Sequence, residues 1–290
     1  MSIVLAMASP AAVRTRDGLT LHAHEWRPGD SPRANLILVH GIAEHAARHD
    51  HVARRFADAG IAVSAVDLRG FGRSGGRRAY LDRWSQYHDD VQDQLAAVRA
   101  SSPGVPLILY GHSMGGLIAL GYVLAEPPRP LPDVLVLSAP AIAATVPAWK
   151  RVAASVLGVT IPRFALANDF HPGSLSHDPQ VDIAYRADPL ATHRTTARLG
   201  AELLREQSRV QARIAQLEAM PLQTYVLHGD EDPIVPVWAT DALGGKRNVT
   251  RRVYPRLRHE THNEPEGQQV ISDTLAFIDR ELMLLAPRRA

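Results

Sequence analysis

Gly111-His112-Ser113-Met114-Gly115 decides the fold, because this Gly-x-Ser-x-Gly pattern stands between a predicted strand and a predicted helix. The strand is Val105-Pro-Leu-Ile-Leu-Tyr110, an apolar run bounded by proline, as expected of a buried parallel strand. The helix runs from Met114 to Ala125 and is rich in small and apolar residues. Glycines on both sides leave room for a tight turn that exposes the serine hydroxyl. The pattern predicts that Ser113 is a nucleophile, against the alternative of a glycine-rich turn without a chemical role.

The composition is ordinary for a globular protein of 290 residues, with 46% hydrophobic and 21% charged residues and a net charge of +2. Only Lys150 and Lys246 are lysine, and the arginines alternate with acids along the chain. The basic stripe that nucleic acid requires is therefore missing, and we expect no nucleic-acid partner. Because the chain contains no cysteine, disulfides, thiolate metal sites and a cysteine nucleophile are excluded.

The first twelve residues are mildly apolar but lack a positive region ahead of the apolar run. That run is barely long enough for a signal peptide, so we expect a cytoplasmic location and keep secretion as the alternative. No stretch approaches the roughly 20 apolar residues of a membrane span.

Strand and helix signals alternate along the chain. Asp17-Gly18 is a hairpin turn signature between extended segments at 13–16 and 19–26. Further strands are predicted at 35–40, 61–66, 134–137, 224–227 and 250–254, and helices at 52–59, 84–99 and 270–285. This order predicts an α/β fold with a mostly parallel, doubly wound sheet and an antiparallel N-terminal edge.

The connection from Pro140 to Leu222 is far longer than the roughly two to six residues that usually join such elements. It carries its own helical patterns at 149–159 and 201–217. One interpretation is a decorative helical insertion. Its position, where strands deliver catalytic loops, favours a lid over the site. We therefore expect an α/β core at 1–140 and 220–290 and a helical cap at 141–219.

Several motifs resemble the monoacylglycerol lipase and lysophospholipase branch of the α/β-hydrolases. They are HGIAEH at 40–45, DLRGFGRS at 67–74, GHSMGG at 111–116, LSAP at 137–140, LSHDP at 175–179, ADPL at 187–190, HGDED at 228–232 and HETHNEP at 259–265. The resemblance covers nearly the whole chain, including the insertion. The sequence departs from the family at Ala43, where glycine is usual, and at His49, where tyrosine is common.

A serine hydroxyl requires a general base, and the base requires a carboxylate that orients it. In the α/β-hydrolase layout the acid and the histidine follow the serine in that order, each after a later strand. Asp230, Glu231 and Asp232 compete for the role of the acid. The resemblance implies Asp232, and the other two are then loop caps.

His259 and His262 compete for the role of the base. The resemblance implies His259, which directly precedes the Glu-x-x-Asn-Glu-Pro motif, and His262 is then a loop contact. We interpret His112, in the variable position of the serine turn, as a packing residue. Glu44 and Glu264 recur in the family loops. Salt bridges, either bracing these loops or on the surface, explain the two glutamates as well as a functional role does.

An oxyanion hole requires two preorganised N–H donors. The N–H of Met114 at the start of its helix is one candidate. The resemblance implies the N–H of Ile42 as the second. In the insertion, we expect Ile161, Phe164 and Leu166 to offer an apolar wall to an acyl chain, with ordinary packing as the alternative.

Three other patterns point to chemistry that we do not expect. Gly70–Gly75 has the spacing of a dinucleotide-binding loop, but no apolar helix follows it, so we interpret it as a tight structural loop. His45 and His49 have the spacing of the zinc ligands in the His-Glu-x-x-His motif of metalloproteases, but no glutamate follows His45. His259-Glu260 begins the same motif, but its fifth position is Asn263 instead of histidine. We expect no cofactor and no metal.

The sequence therefore predicts a serine ester hydrolase that acts through an acyl-enzyme on a small-molecule lipid ester. The resemblance favours a glycerol monoester or a lysophospholipid, and a broad-specificity short-chain esterase is the alternative. A serine peptidase or amidase would use the same triad, but the usual His-Gly-Gly-Pro-Gly loop is absent. A catalytically silent binding protein is the least favoured alternative. The cap is expected to contact a membrane or micelle surface transiently.

Overall fold

The computed structural model describes residues 12–145, 147–168 and 170–285. The signal-peptide alternative concerns the N-terminal residues, which lie outside this range except for Ala12. Among the helices of the described part, none is both long and apolar enough to cross a membrane.

Eight strands form the main sheet: β1 (Ala12–Arg14), β2 (Thr20–Trp26), β3 (Ala34–Val39), β4 (Ile61–Val66), β5 (Leu107–His112), β6 (Val134–Ser138), β9 (Ala219–Gly229) and β10 (Arg247–Tyr254). Their spatial order is β1-β2-β4-β3-β5-β6-β9-β10. The first two strands pair antiparallel with each other, β2 pairs antiparallel with β4, and the remaining pairs are parallel. The predicted mostly parallel sheet with an antiparallel N-terminal edge is thus confirmed.

Helices lie on both faces of this sheet. Their bounds are α1 (Asp50–Asp58), α2 (Ser85–Ser101), α3 (Met114–Val123), α4 (Ala148–Thr160), α5 (Pro179–Ala187), α6 (Ala197–Gln216), α7 (Asp241–Gly244) and α8 (Gly267–Leu285). Short 3-10 turns occur at Ala46–His49, Val237–Thr240 and Thr261–Asn263.

Two apolar layers form the core, because successive side chains of a strand point to opposite faces of the sheet. Ile37 and Val39 of β3 belong to the layer that is covered by α2, α3 and α6. Leu36 and Leu38 of the same strand belong to the layer under α1 and α8. A strand that is buried on both faces is a continuous apolar run, which is why β3 was recognisable in the sequence.

The long insertion between β6 and β9 contains α4, α5, α6 and two short strands, β7 (Ala165–Ala167) and β8 (Arg194–Thr196). The two strands form an antiparallel pair that the sequence did not predict. Three residues are too few to show the alternation of polar and apolar side chains that identifies a strand. Helices α4 and α6 contact each other, and at Gly158 a side chain would overlap Ala201.

The carboxyl ends of the parallel strands share one edge of the sheet, where ligands bind in open α/β sheets. The loop after β3 carries Ile42, and Ser113 follows β5 directly. Asp232 follows β9, and His259 lies beyond β10. The topology therefore brings these four positions to one edge.

Candidate active site

Ser113 occupies the turn between β5 and α3 with a backbone φ of 54° and ψ of −119°. This conformation is unfavourable for a residue with a side chain, so the neighbouring structure must hold it. The Ser113 N–H donates to the carbonyl of Ser138 at 2.9 Å, and its carbonyl accepts from the N–H of Ala141 at 2.9 Å. A side chain at Gly111 or Gly115 would overlap backbone atoms of the turn or of β3. The glycines of the sequence pattern are thus a packing requirement.

Ser113, His259 and Asp232 form a continuous hydrogen-bonded chain. Nε2 of His259 lies 2.9 Å from Oγ of Ser113, and Nδ1 of His259 lies 2.7 Å from Oδ2 of Asp232. Because a carboxylate only accepts hydrogen bonds, Nδ1 carries the proton and Nε2 is left to accept one from the serine hydroxyl. All three side chains are buried.

Four donors fix the Asp232 carboxylate. Oδ1 accepts from the backbone N–H groups of Ile234 and Val235, at 2.8 and 2.9 Å. Oδ2 accepts from His259 and also from Nε2 of His228, at 3.1 Å. Burial alone would raise the pKa of this carboxyl, but the two histidines hold it well below its ordinary range. The carboxylate stays ionised at neutral pH.

The two rival acids are directed elsewhere. Asp230 accepts a hydrogen bond from the N–H of Arg256 at 2.6 Å, which is the capping contact expected of it. Glu231 is exposed, and its carboxylate lies 3.5 Å from Nε2 of His177. Neither contacts His259 in the structure.

The pKa of His259 is raised above its ordinary value. Burial in itself lowers this pKa, but the adjacent Asp232 carboxylate and its hydrogen bond outweigh that effect. A histidine with a raised pKa is a stronger base, and it remains neutral only above that raised value.

A cluster of buried histidines packs beside His259. The ring centroid of His112 lies 5.0 Å from that of His259 and 5.1 Å from that of His262, and His262 also lies 5.1 Å from His49. Burial lowers the pKa of His112 and His262 well below the ordinary value, so both rings are neutral. His262 has the loop position that was predicted. The sequence contained no signal for the rest of this cluster.

The two predicted oxyanion donors, the N–H groups of Ile42 and Met114, have no hydrogen-bond acceptor within the described part of the chain. Met114 is the first residue of α3, where N–H groups have no partner inside the helix. Ala43, next to Ile42, has a φ of 67°. A positive φ is the reason that glycine suits this position, and alanine accepts it at a cost of about 1–2 kcal/mol.

Glu44 braces the loop after β3 from inside. The N–H of Gly41 donates to its carboxylate at 2.5 Å, and Nε2 of His49 lies 3.1 Å from the same oxygen. Burial raises the pKa of this carboxyl, but the charge and hydrogen bond of His49 bring it well below the ordinary value. Of the two explanations that the sequence left open for Glu44, bracing is the one observed, and it was not predicted that His49 would be the partner.

Glu264 joins the loop of His259 to the insertion. Its carboxylate accepts from the backbone N–H groups of Arg258 and His177, at 2.7 and 2.8 Å, and from the Ser176 hydroxyl at 3.0 Å. The HETHNEP and LSHDP motifs therefore contact each other through one carboxylate.

Two of the three patterns that were set aside, the glycine loop and the His45/His49 pair, can be located in the structure. Gly70 and Gly72 have positive φ values in a loop that no helix follows directly, as expected for a tight turn. His45 contacts the Asp188 carboxylate at 2.7 Å, whereas His49 contacts the Glu44 carboxylate at 3.1 Å.

The predicted acyl-binding residues lie on the surface of the insertion. Ile161, Phe164 and Leu166 are 47%, 48% and 59% exposed. These residues follow α4 in the sequence, and α4 itself exposes large apolar side chains. We call the whole set the apolar cap face; it consists of Trp149, Val152, Val156, Val159, Ile161, Phe164 and Leu166.

A family model described as "Serine aminopeptidase, S33" matches residues 30–266. The monoacylglycerol lipase of Mycolicibacterium smegmatis is 38% identical over 260 residues, which cover 87% of this chain and 90% of the relative. This chain belongs to the monoacylglycerol lipase branch of the α/β-hydrolases. Human monoglyceride lipase is 30% identical to the hydrolase over 259 residues, which cover 86% of this chain and 82% of the relative.

The crystal structure of the monoacylglycerol lipase from Paleococcus ferrophilus superposes on the hydrolase with a TM-score of 0.78 at 25% identity, over 90% of this chain and 99% of the other. The predicted family, fold and enzyme class are confirmed: the chain is a serine ester hydrolase of the monoacylglycerol lipase type.

Proposed function

We propose that this hydrolase cleaves monoacylglycerols, or single-chain lipid esters of similar chemistry, through an acyl-enzyme. The observation that carries the proposal is the hydrogen-bonded chain from Ser113 through His259 to Asp232, with distances of 2.9 and 2.7 Å. The substrate class rests on the relatives, several of which are named monoacylglycerol or monoglyceride lipases.

In the acylation step, Oγ of Ser113 attacks the ester carbonyl while Nε2 of His259 takes its proton. The N–H groups of Ile42 and Met114 stabilise the oxyanion, at about 3 kcal/mol for each donor. His259 then returns the proton to the departing glycerol oxygen, and Asp232 keeps the imidazole oriented. A water molecule, activated by the same histidine, releases the fatty acid and restores Ser113.

We propose a division into a core at 1–140 and 220–290 and a cap at 141–219. The apolar cap face supports a role in lipid binding, because positions 149, 152, 156 and 159 recur on one side of α4. Large exposed apolar patches mark interaction sites for lipids or proteins. We assign this face to the acyl chain of the substrate and to transient contact with a membrane or micelle surface, and we expect the hydrolase to act in the cytoplasm.

A peptidase or amidase activity is the second candidate, because the description of the matched family names a serine aminopeptidase. The loop after β3 reads His40-Gly-Ile-Ala-Glu-His45, without the His-Gly-Gly-Pro-Gly sequence expected of proline-releasing peptidases. Lipid esters are therefore favoured over peptides.

The test is a substrate panel for the purified full-length chain: monoacylglycerol, lysophospholipid, p-nitrophenyl esters of increasing chain length, and aminoacyl amides. We expect the highest kcat/KM for monoacylglycerol. Ser113→Ala should lose about 10⁶-fold in turnover and all labelling by a fluorophosphonate. Preference for the aminoacyl amides would overturn the substrate assignment, and stoichiometric labelling of Ser113→Ala would overturn the nucleophile.

A further inference from the structure

His22 and His24 are two residues apart on β2, so their side chains point to the same face of the sheet. β2 pairs antiparallel with β4, and Ala23 is opposite Val66. The Asp67 N–H continues this ladder by donating to the carbonyl of His22 at 2.9 Å. Asp67 is therefore the cross-strand neighbour of His22, at the point where β4 ends.

The side chains of these three residues converge. One ligand atom from each of them lies within 4.8 Å of the other two. Nε2 of His24 is 3.1 Å from Oδ1 of Asp67, and the ring centroids of His22 and His24 are 4.7 Å apart. Two imidazoles and a carboxylate are a common donor set for divalent transition metals.

The Asp67 carboxylate is held in place by groups outside the cluster. Oδ1 accepts from the N–H of Ala46 at 3.0 Å, and Oδ2 accepts from the N–H of Arg73 at 2.8 Å. Such outer contacts orient the ligands of a metal site. Oδ2 keeps a further lone pair for an ion, and Oδ1 gains one when the ion takes the place of its hydrogen bond with Nε2 of His24. At Gly72 a side chain would overlap this carboxylate, so the loop leaves space for it.

The two histidines remain accessible. Both are partly exposed, whereas Asp67 is buried beneath them. The ring of His22 forms no hydrogen bond with any residue in the described ranges. Water can therefore reach the cluster and complete the coordination of an ion that three protein ligands hold.

We propose that His22, His24 and Asp67 bind one divalent transition-metal ion of the Zn²⁺ class. The site is separate from the triad, none of whose residues contributes to it. Zn–N and Zn–O bonds of about 2.0–2.2 Å require the three donor atoms to move closer together, which rotation of the partly exposed His22 and His24 side chains allows. Because the ion would link β2 to the end of β4, it would stabilise the N-terminal edge of the sheet.

The test uses the tag-free chain, stripped of metal with EDTA that is then removed. Calorimetry measures the binding of ZnCl₂ during a titration, and thermal unfolding measures the Tm at each Zn²⁺ concentration. We expect one ion per chain and a Tm that rises with the Zn²⁺ concentration. His22→Ala and His24→Ala should each weaken binding by at least about tenfold. His171→Ala, at an exposed position of the insertion, is one control. His51→Ala is the other, since the ring of His51 lies 5.9 Å from that of His262, beside the histidine cluster near the triad. Both should bind Zn²⁺ as the wild type does.

Binding of Zn²⁺ that is unchanged in both His22→Ala and His24→Ala would overturn the proposal, as would loss of binding in His51→Ala or no binding at millimolar Zn²⁺. Circular dichroism checks that each variant is folded. If His22→Ala does not fold, His22→Asn replaces it, because asparagine keeps the polarity of the site and is a poor zinc ligand. Co²⁺ supplies an independent measurement, since its visible absorption reports the ligands directly.

Discussion

The Asp232 carboxylate accepts a hydrogen bond from Nε2 of His228, 3.1 Å away, on the same oxygen that faces His259. Nε2 of His228 also lies 2.9 Å from the carbonyl of Val235. A carbonyl only accepts, so Nε2 carries the proton and donates it to both oxygens. His228 thus couples the end of β9 to the candidate triad acid and restricts the positions that the carboxylate can take.

Replacing Asp232 by asparagine should reduce turnover by roughly 10⁴-fold, because the amide no longer enforces the tautomer of His259 that accepts a proton from Ser113. Asp230→Asn and Glu231→Gln are the matched controls in the same loop, since their contacts lead to Arg256 and His177. Both should retain most of the wild-type rate. Steady-state hydrolysis of a p-nitrophenyl ester measures all three variants.

An Asp230→Asn variant as impaired as Asp232→Asn would contradict the assignment of the acid. The three acids are consecutive in the sequence, and only the resemblance to the family distinguished Asp232 from the other two. The structure separates them by their hydrogen bonds.

The pH dependence of kcat/KM should have a single acid limb with a midpoint above about 6.5, the ordinary pKa of histidine. The sign follows from the base: His259 accepts a proton only when it is neutral, and its pKa is raised by Asp232 in spite of burial. Activity is therefore lost as the pH falls through the raised value and is retained in mild alkali. Initial rates with an uncharged short-chain ester measure the profile.

His259→Ala should abolish this activity, whereas His262→Ala should keep both activity and the acid limb, since His262 does not contact Ser113. An acid optimum in the wild type would argue against His259 as the general base.

Much of the fold was predictable because its elements carry long periodic patterns. Helix α8 contains the helix predicted at 270–285, and it buries Ile271 and Ile278. Strand β9 begins at Ala219, five residues before the predicted start at 224. Its first half alternates between buried and exposed side chains, and only the fully buried second half is the apolar run that the prediction recognised.

The supporting contacts of the site were not predictable in the same way. His228 and Glu44 act through partners brought near by the turns of the tertiary structure, and no periodicity marks such pairs. The sequence did not predict a shared role for His22 and His24, although alternation on a strand places both rings on one face. The roles of Ser113 and Asp232 rested on motifs and remain predictions that the variants test.

A decrease in pH should lower the free energy of unfolding, in part because His88 is buried in its neutral form. Burial, assisted by the charges of Arg209 and Arg129, lowers the pKa of this histidine to about 3. Below the ordinary value of about 6.5, the unfolded chain binds a proton that the folded chain does not, so stability falls as the pH decreases from 6.5 towards 3. At about 1.4 kcal/mol per pH unit, His88 accounts for a loss of roughly 2 kcal/mol between pH 7 and pH 5.

Urea unfolding of His88→Gln at pH 7 and pH 5 measures this loss, because glutamine cannot titrate. The decrease in the free energy of unfolding should be smaller than in the wild type by roughly 2 kcal/mol. His171→Gln, at an exposed histidine, is the control and should keep the wild-type decrease. Equal decreases in His88→Gln and in the wild type would show that His88 does not contribute.

The apolar cap face should control the preference for acyl chain length. Phe164→Asp or Leu166→Asp should raise KM for long-chain monoacylglycerols far more than for acetate esters, because each buried methylene contributes about 0.8 kcal/mol and an acetyl group has almost none to bury. Ile183→Asp on α5 is the matched control, since Ile183 is similarly exposed, at 56%, but lies outside this face. Equal losses on both substrates would mean that these side chains only hold the fold. No loss on either would mean that the acyl chain binds elsewhere.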